Sequence, residues 1–213
     1  MIKYPNGQKT ISIEKNNLNA NTNRRNMGMS LEKEVALSAQ YYIEHNLAFF
    51  YKKPTPIRVF KMSKTNTHMI TEAYYDAKST TDYNGLYKGH YIDFEAKETN
   101  NLTSFPLANI HKHQVKHIRN ISTNGGICFL IVRFTKLNKN FLLTAKDFIN
   151  FIDNFDRKSI PLSYFESNAY ILEYGYMPRL DYIKVIDYLL EVSKWQIKNN
   201  LLVHLKELKK VIN

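Results

Sequence analysis

Between Tyr91 and Lys97 apolar and polar residues alternate in period two, and this run constrains the fold more than any other stretch of the chain. As a strand it sets Tyr91, Asp93, Glu95 and Lys97 on one face and Ile92, Phe94 and Ala96 on the other. Carboxylates and an ammonium then leave a stiff element in the same direction. Just upstream, Asn84-Gly85 reads as a tight turn needing positive φ, which folds Asp82 back beside them. Two carboxylates brought together repel unless a cation sits between them, and hard oxygen ligands with room for water suit Mg2+. A lysine in the same cluster can stabilise negative charge growing on a phosphate. The layout points to metal-dependent phosphodiester chemistry.

Charge agrees with a polyanionic partner. The 213 residues carry 30 Lys and Arg against 19 Asp and Glu, a formal net charge of +11, and nucleic acid is the commonest partner for such an excess. The chain is long enough for one packed domain with an embellishment and short for two. A single cysteine, Cys128, rules out an internal disulfide and a cysteine-rich zinc site, and its apolar setting suits an inert buried thiol. With no apolar run of membrane-spanning length and a polar N-terminus, a soluble cytoplasmic protein is expected.

Residues 1–28 are rich in Asn, Lys and Thr and are expected to form a flexible arm. Arg24 and Arg25 within it fit either a grip on phosphate or a solvated tail. Ser30 caps a predicted helix to about His45 whose buried stripe is Leu31, Val35, Ala39 and Tyr42, with Glu32 bordering it. A short strand at 48–51 is broken by Pro54 and Pro56, and 57–62 and 68–75 form a hairpin around a polar tip. After the acidic strand a helix is expected to open at Ser104 or Phe105, with Pro106 in its first turn and Leu107, Ile110, Ile118 and Ile121 inward. Gln114 falls on that inward stripe and needs hydrogen-bond partners there. His111, His113 and His117 lack a convergent further ligand, so a basic phosphate-facing helix fits them better than zinc. Ile127 to Val132 reads as a strand buried on both faces and Phe141 to Leu143 as its neighbour, with Asp147 capping a helix to Phe155. From Tyr182 to Ile212 the period is helical, and Leu189, Leu190, Val192, Trp195, Leu201, Leu202 and Leu205 suit burial against the body or a second subunit. This order of elements fits an α/β sandwich around a mixed sheet.

The spacing Asp82-(X12)-Glu95-X-Lys97 resembles the PD-(D/E)XK nuclease superfamily, although that pattern alone is loose. The local wording is tighter. Ser79-Thr80-Thr81-Asp82-Tyr83-Asn84-Gly85, Tyr91-Ile92-Asp93-Phe94-Glu95-Ala96-Lys97-Glu98-Thr99 and Thr103-Ser104-Phe105-Pro106-Leu107 resemble the RecU Holliday-junction resolvase family. So do Lys52-Lys53-Pro54-Thr55-Pro56 and Gly175-Tyr176-Met177-Pro178-Arg179-Leu180-Asp181-Tyr182-Ile183. The likeness runs from Met1 to about Glu191.

That resemblance implies an α/β fold, a restriction-endonuclease-like mixed β-sheet flanked by helices with a projecting β-hairpin stalk. The expected division is an arm at 1–28, a nuclease domain at 29–190 with its stalk at about 52–75, and a helical extension at 191–213. It implies an Mg2+-dependent endonuclease, with Mn2+ able to substitute, that resolves Holliday junctions by paired nicking in recombination and repair. Asp82 and Glu95 would hold the metal, joined by Thr80 and Gln114, while Lys97 stabilises the transition state. Lys52, Lys53, Arg58, Lys61 and Lys64 would contact junction phosphates around the stalk. Asp93 shares the strand face of Glu95, where a role beside the metal and a plain surface salt bridge both fit. Four-way junction DNA, a homodimer and a RecA-type recombinase are the implied partners, with no membrane. Two rivals stand beside this reading: a superfamily nuclease acting on ordinary duplex, and a non-catalytic junction-binding accessory.

Overall fold

A computed structural model of the chain describes residues 29–66, 68–76 and 80–195. The expected arm with Arg24 and Arg25, and the leucines at 201, 202 and 205, lie outside the described residues.

Helix α1 (Leu31–Glu44) starts where expected. Ser30 is extended, its hydroxyl accepts the Lys33 amide at 3.4 Å, and Glu32 and Glu34 sit in the first turn against the positive end of the dipole. Leu31, Val35, Ala39 and Tyr42 are buried, as the 3.6-residue period requires, and Glu34 is buried with them.

Strand β1 (Phe49–Lys52) leads to β2 (Ile57–Met62) and β3 (Ile70–Tyr75), an antiparallel hairpin in which every strand residue is exposed. This is the projecting hairpin expected from the sequence. The chain returns through β4 (Tyr83–Tyr87) to β5 (His90–Thr99). Here one expectation needs correcting, because Asn84-Gly85 is not the turn. Both residues lie inside β4, and the two-residue turn is Lys88-Gly89, with φ of 48° and 81°. Gly85 answers a different need: a Cβ there would stand 1.9 Å from the carbonyl oxygen of Phe49 on β1. The consequence predicted from the turn still holds, since the antiparallel register pairs Tyr83 with Phe94 and so brings Asp82 beside Glu95.

A second correction concerns the helix after β5. Ser104–Pro106 forms a short strand, β6, followed by a 3-10 turn at Leu107–Asn109, and α2 spans only Lys112–Thr123. An extended Phe105 is completely buried, and Ile110 is also extended, so helix cannot begin before His111. Next come β7 (Ile127–Phe134), β8 (Lys139–Thr144), α3 (Ala145–Asn154), β9 (Ser159–Pro161), α4 (Leu162–Asn168), β10 (Tyr170–Ile171) and α5 at 182–195. The cap of α3 is Thr144 and not Asp147; the Thr144 hydroxyl oxygen accepts the Asp147 amide at 3.2 Å. Strand β6 pairs with β9, Phe105 facing Ile160.

The main sheet runs β1-β4-β5-β7-β8-β10, with β5 and β7 parallel and the other pairs antiparallel. Against one face pack α1 and α5, closing a core of Tyr42, Phe50, Phe94, Phe129 and Tyr182. Against the other pack α2, α3 and α4 over Leu130, Val132, Phe134, Phe141 and Leu143. Strand β7 is buried on both sides, which its unbroken apolar run demanded. Of the expected helical apolar residues, Leu190 is buried, Leu189 packs at the edge and Trp195 is exposed.

Behind the sheet lies a buried charged group. The Arg133 guanidinium pairs with Glu34, donates to Asn140 Oδ1 at 2.7 Å and to the Met29 carbonyl at 3.0 Å, and Arg179 reaches the other Glu34 oxygen at 3.3 Å. This explains Arg179 in the C-terminal motif: with Leu180 N–H on Ser38 Oγ at 2.9 Å, it ties the segment before α5 to α1.

Candidate active site

The end of β1, the start of β4, the middle of β5 and one helix meet at a single row across the sheet. Lys53, just past β1, donates its backbone N–H to the Asp82 carbonyl at 2.8 Å, and Asp82 in turn lies opposite Glu95 on β5. Glu95 is wholly buried, under α2. Its Oε2 accepts the Asp82 backbone N–H at 3.0 Å, and its Oε1 accepts Gln114 Nε2 at 2.8 Å and the Lys97 ammonium at 2.5 Å. Asp82 Oδ2 accepts the backbone N–H of Ala96 at 3.3 Å. Asp82, Glu95, Lys97 and Gln114 are therefore brought together, as the strand period and the inward stripe of α2 predicted.

Electrostatics mark the pair. Burial first, and then the negative charge of Asp82, push the Glu95 carboxyl up to about 7, against the smaller opposing pull of Lys97 and Gln114. Two carboxyls compressed in this way form an anionic pair that a divalent cation relieves, so the oxygen donors present fit such an ion. Among the described residues no group of three or more His, Cys, Asp or Glu forms a metal cage. The donor set is two carboxylates with polar neighbours. Gln114 turns its amide nitrogen to Glu95 and its oxygen to the His111 N–H at 3.0 Å, which holds the carboxylate in place. The Thr80 hydroxyl is engaged by the Lys53 ammonium at 3.1 Å.

Beside this row lies a second polar cluster that the sequence pointed to only in part. Asp93, two positions before Glu95 on the same face, is fully buried and is no surface salt bridge. It accepts from the Thr81 hydroxyl, from Lys53 Nζ at 2.6 Å, from Tyr91 OH at 2.8 Å, and lies 3.2 Å from His117 Nε2. Lys53, expected among the phosphate contacts, turns its ammonium inward, within 2.7 Å of Thr81 Oγ1. The period-two pattern had put Asp93 on the right face; nothing local in the sequence signalled that a lysine 40 residues earlier would reach it. Glu32 stays at the surface, paired with Lys52. Arg58 pairs with Asp76 at 2.8 Å and Lys61 with Glu72 at 3.4 Å along the exposed hairpin, and Lys64 is exposed at its tip. Cys128 is buried, and its thiol is pushed well above the ordinary range by burial, in keeping with an inert role.

Fold and site define an α/β protein of the carboxylate–lysine type, in which an acid from one strand and an E-X-K strand beside it share a centre on a mixed sheet. Residues 26–188 match the family described as RecU, Recombination protein U, and the chain belongs to that family. Relatives called Holliday junction resolvase RecU include one from Pediococcus pentosaceus, 52% identical over 77% of this chain and 84% of its own length. Another, from Lactiplantibacillus plantarum, is 46% identical over 89% of this chain and 96% of its own. Among solved structures, Archaeoglobus fulgidus Hjc, a Holliday junction resolvase from an archaeal hyperthermophile, covers 65% of this chain and 91% of its own at 9% identity and a TM-score of 0.36.

Proposed function

We propose that this chain is an Mg2+-dependent endonuclease that resolves four-way DNA junctions by paired nicking in recombination and repair. The observation that carries the chemistry is the pairing of Asp82 and Glu95 across β4 and β5 with Lys97 on the Glu95 carboxylate. Family membership supports the junction as substrate, because the relatives are called Holliday junction resolvases.

Asp82 and Glu95 would hold the metal, Mg2+ or in its place Mn2+, with Gln114 and Thr80 beside them. When bound, the ion supplies a Lewis acid for the phosphate and lowers the pKa of the attacking water. The chain's own residues do the rest. Gln114 fixes the rotamer of Glu95 by donating to Oε1, while the Asp82 N–H fixes Oε2. Lys97, about a quarter exposed, is placed to leave Glu95 and meet the charge that develops on the phosphate.

Lys52, Arg58, Lys61 and Lys64 on and below the hairpin would contact junction phosphates, and Arg24 and Arg25 of the N-terminal segment would add to them. Clean resolution needs two like strands cut at related positions, which a two-fold homodimer provides. Exposed apolar side chains on the hairpin (Ile57, Val59, Phe60, Tyr75) and on the open sheet face (Phe49, Tyr51, Leu86) support an assembly that covers them. A RecA-type recombinase is a further proposed partner, on the family likeness alone.

The test compares cleavage of a mobile four-way junction and a linear duplex at equal salt and Mg2+, with wild type, Asp82→Asn and Glu95→Gln. Junction cutting by wild type, lost in both variants with binding retained, is the expected result. Preference for linear duplex would favour a general superfamily nuclease, and wild-type protein that binds junctions but cuts nothing would favour a binding accessory.

A further inference from the structure

The Lys53–Asp93 pair joins two things that the reaction needs at once, the root of the hairpin and the pair of acids. Lys53 stands where the chain leaves β1 for the hairpin, and Thr80 and Thr81 stand where it comes back, immediately before Asp82. The Lys53 ammonium touches both returning threonines, at 3.1 and 2.7 Å, and the carboxylate of Asp93 at 2.6 Å, while its backbone N–H holds the Asp82 carbonyl. One side chain thus closes the neck of the hairpin and bolts it to the strand that carries Glu95.

The chemistry of the cluster argues against an incidental contact. Asp93 has no exposed surface, and a buried carboxylate is tolerated only when its oxygens are filled. Four side chains do so: Thr81 from the returning neck, Lys53 from the outgoing neck, Tyr91 from the same strand and His117 from α2, the helix that also carries Gln114. Every element that contributes to the candidate metal site therefore also contributes to Asp93, and the two clusters are separated by a single strand residue, Phe94. A sheet need not bury an ion pair to be stable, since apolar side chains of the same volume do as well or better. What the pair supplies is geometry: it ties the two threonines immediately before Asp82 to the strand that carries Glu95.

On the nuclease reading above, we propose that Lys53, held by Asp93, is a positioning residue that couples the hairpin to the acid pair. Lys53 does not touch DNA in this arrangement. It holds Asp82 in register with Glu95, and a hairpin displaced at its root, as when it engages a junction, moves the acid pair through the Lys53 ammonium.

The test uses the full chain and three variants, Lys53→Met, Lys53→Arg and Asp93→Asn. In the metal-free protein without DNA, hydrogen exchange is read at the Asp82 amide, which donates to Glu95. Mn2+ binding to the same samples is read by the loss of the free-ion paramagnetic signal, and junction affinity is measured without divalent ions. Exchange at Asp82 should speed up in Lys53→Met and Asp93→Asn while β7 and β8 stay protected. The Mn2+ concentration for half-saturation should rise about tenfold, as for other residues that orient ligands from behind. Junction affinity should change less than twofold, and Lys53→Arg should restore most of the Mn2+ binding. Unchanged exchange and Mn2+ binding in Lys53→Met would overturn the proposal, and so would a loss confined to junction affinity, which would make Lys53 a phosphate contact. If Asp93→Asn does not fold, the contrast between Met and Arg at position 53 decides alone. Failure of the wild type to cut any DNA would sink the nuclease reading, yet exchange at Asp82 would still report on Lys53.

Discussion

Asp82 and Glu95 hold each other through the backbone: the Asp82 N–H donates to Glu95 Oε2 at 3.0 Å, and the N–H of Ala96, next to Glu95, donates to Asp82 Oδ2 at 3.3 Å. The acid pair is therefore part of the junction between β4 and β5 rather than of a loop. Strand pairing supplies the register that sets the two acids opposite each other, with Asp82 standing one residue before β4 where the hairpin neck joins it.

Stability should report on the buried acid directly. The Glu95 carboxyl stands near 7 in the folded protein against 4.5 in the unfolded chain, so between those values the folded state binds more protons and stability falls as pH rises. Below 4.5 the penalty is absent, and above 7 it is complete, on the order of 3 kcal/mol. Urea denaturation of metal-free wild type and Glu95→Gln at pH 5 and pH 8 should show this drop in wild type alone. Added Mg2+ should stabilise wild type more at pH 8 than at pH 5. Parallel pH profiles for the two proteins would refute the assignment of the shifted group to Glu95.

The hairpin lysines should act through salt. Each phosphate contact removed lowers the slope of log affinity against log salt by about one. Lys61→Ala and Lys64→Ala should each flatten that slope for a four-way junction, with Lys139→Ala, on β8 and paired with Glu166, as the control. Slopes unchanged in all three would remove the hairpin from the binding surface.

Behind the sheet, Glu34 serves two arginines at once, Arg133 and Arg179. Glu34→Ala would leave buried Arg133 only the more distant Glu98 carboxylate at 3.4 Å and would take the Glu34 carboxylate from half-buried Arg179, and it should cost ~3 kcal/mol, the lower end of the loss found when one partner of a buried pair is removed. Thermal unfolding of the metal-free protein measures it, and a change in midpoint of only a degree or two would mean that the arginines find other partners.

Gly85 makes a sharper steric case. Its missing Cβ leaves room for the Phe49 carbonyl, so Gly85→Ala should push β1 off β4 at a cost on the order of 3 kcal/mol. Because Lys53 follows directly on β1, the variant should also loosen the Asp82 amide in hydrogen exchange. An unperturbed Asp82 amide in a folded Gly85→Ala protein would contradict the close approach of the two strands.

Much of this was legible in the chain before any coordinates. Period two on β5 gave the face of Asp93, Glu95 and Lys97, the apolar run of β7 gave its double burial, and the inward position of Gln114 on α2 was correct. Those readings rest on side-chain direction, which local geometry fixes. Where local signals were ambiguous the reading went astray. Asn84-Gly85 has the composition of a turn, but the glycine was needed for the neighbouring strand. Ser104–Pro106 has the start of a helix, but Phe105 gained more by burial opposite Ile160. Asp147 has the chemistry of a cap, but Thr144 stands in the capping position.

The sequence by itself determined which side chains share a strand or helix face, since a period of 2.0 or 3.6 needs no partner to be expressed. Only the tertiary structure decided what those faces meet. That Lys53 turns inward to Asp93, that Glu34 gathers Arg133 and Arg179 from far downstream, and that Gly85 admits the backbone of β1 all depend on residues dozens to more than a hundred positions apart. Such contacts arise from packing the whole sheet, and no local pattern encodes them.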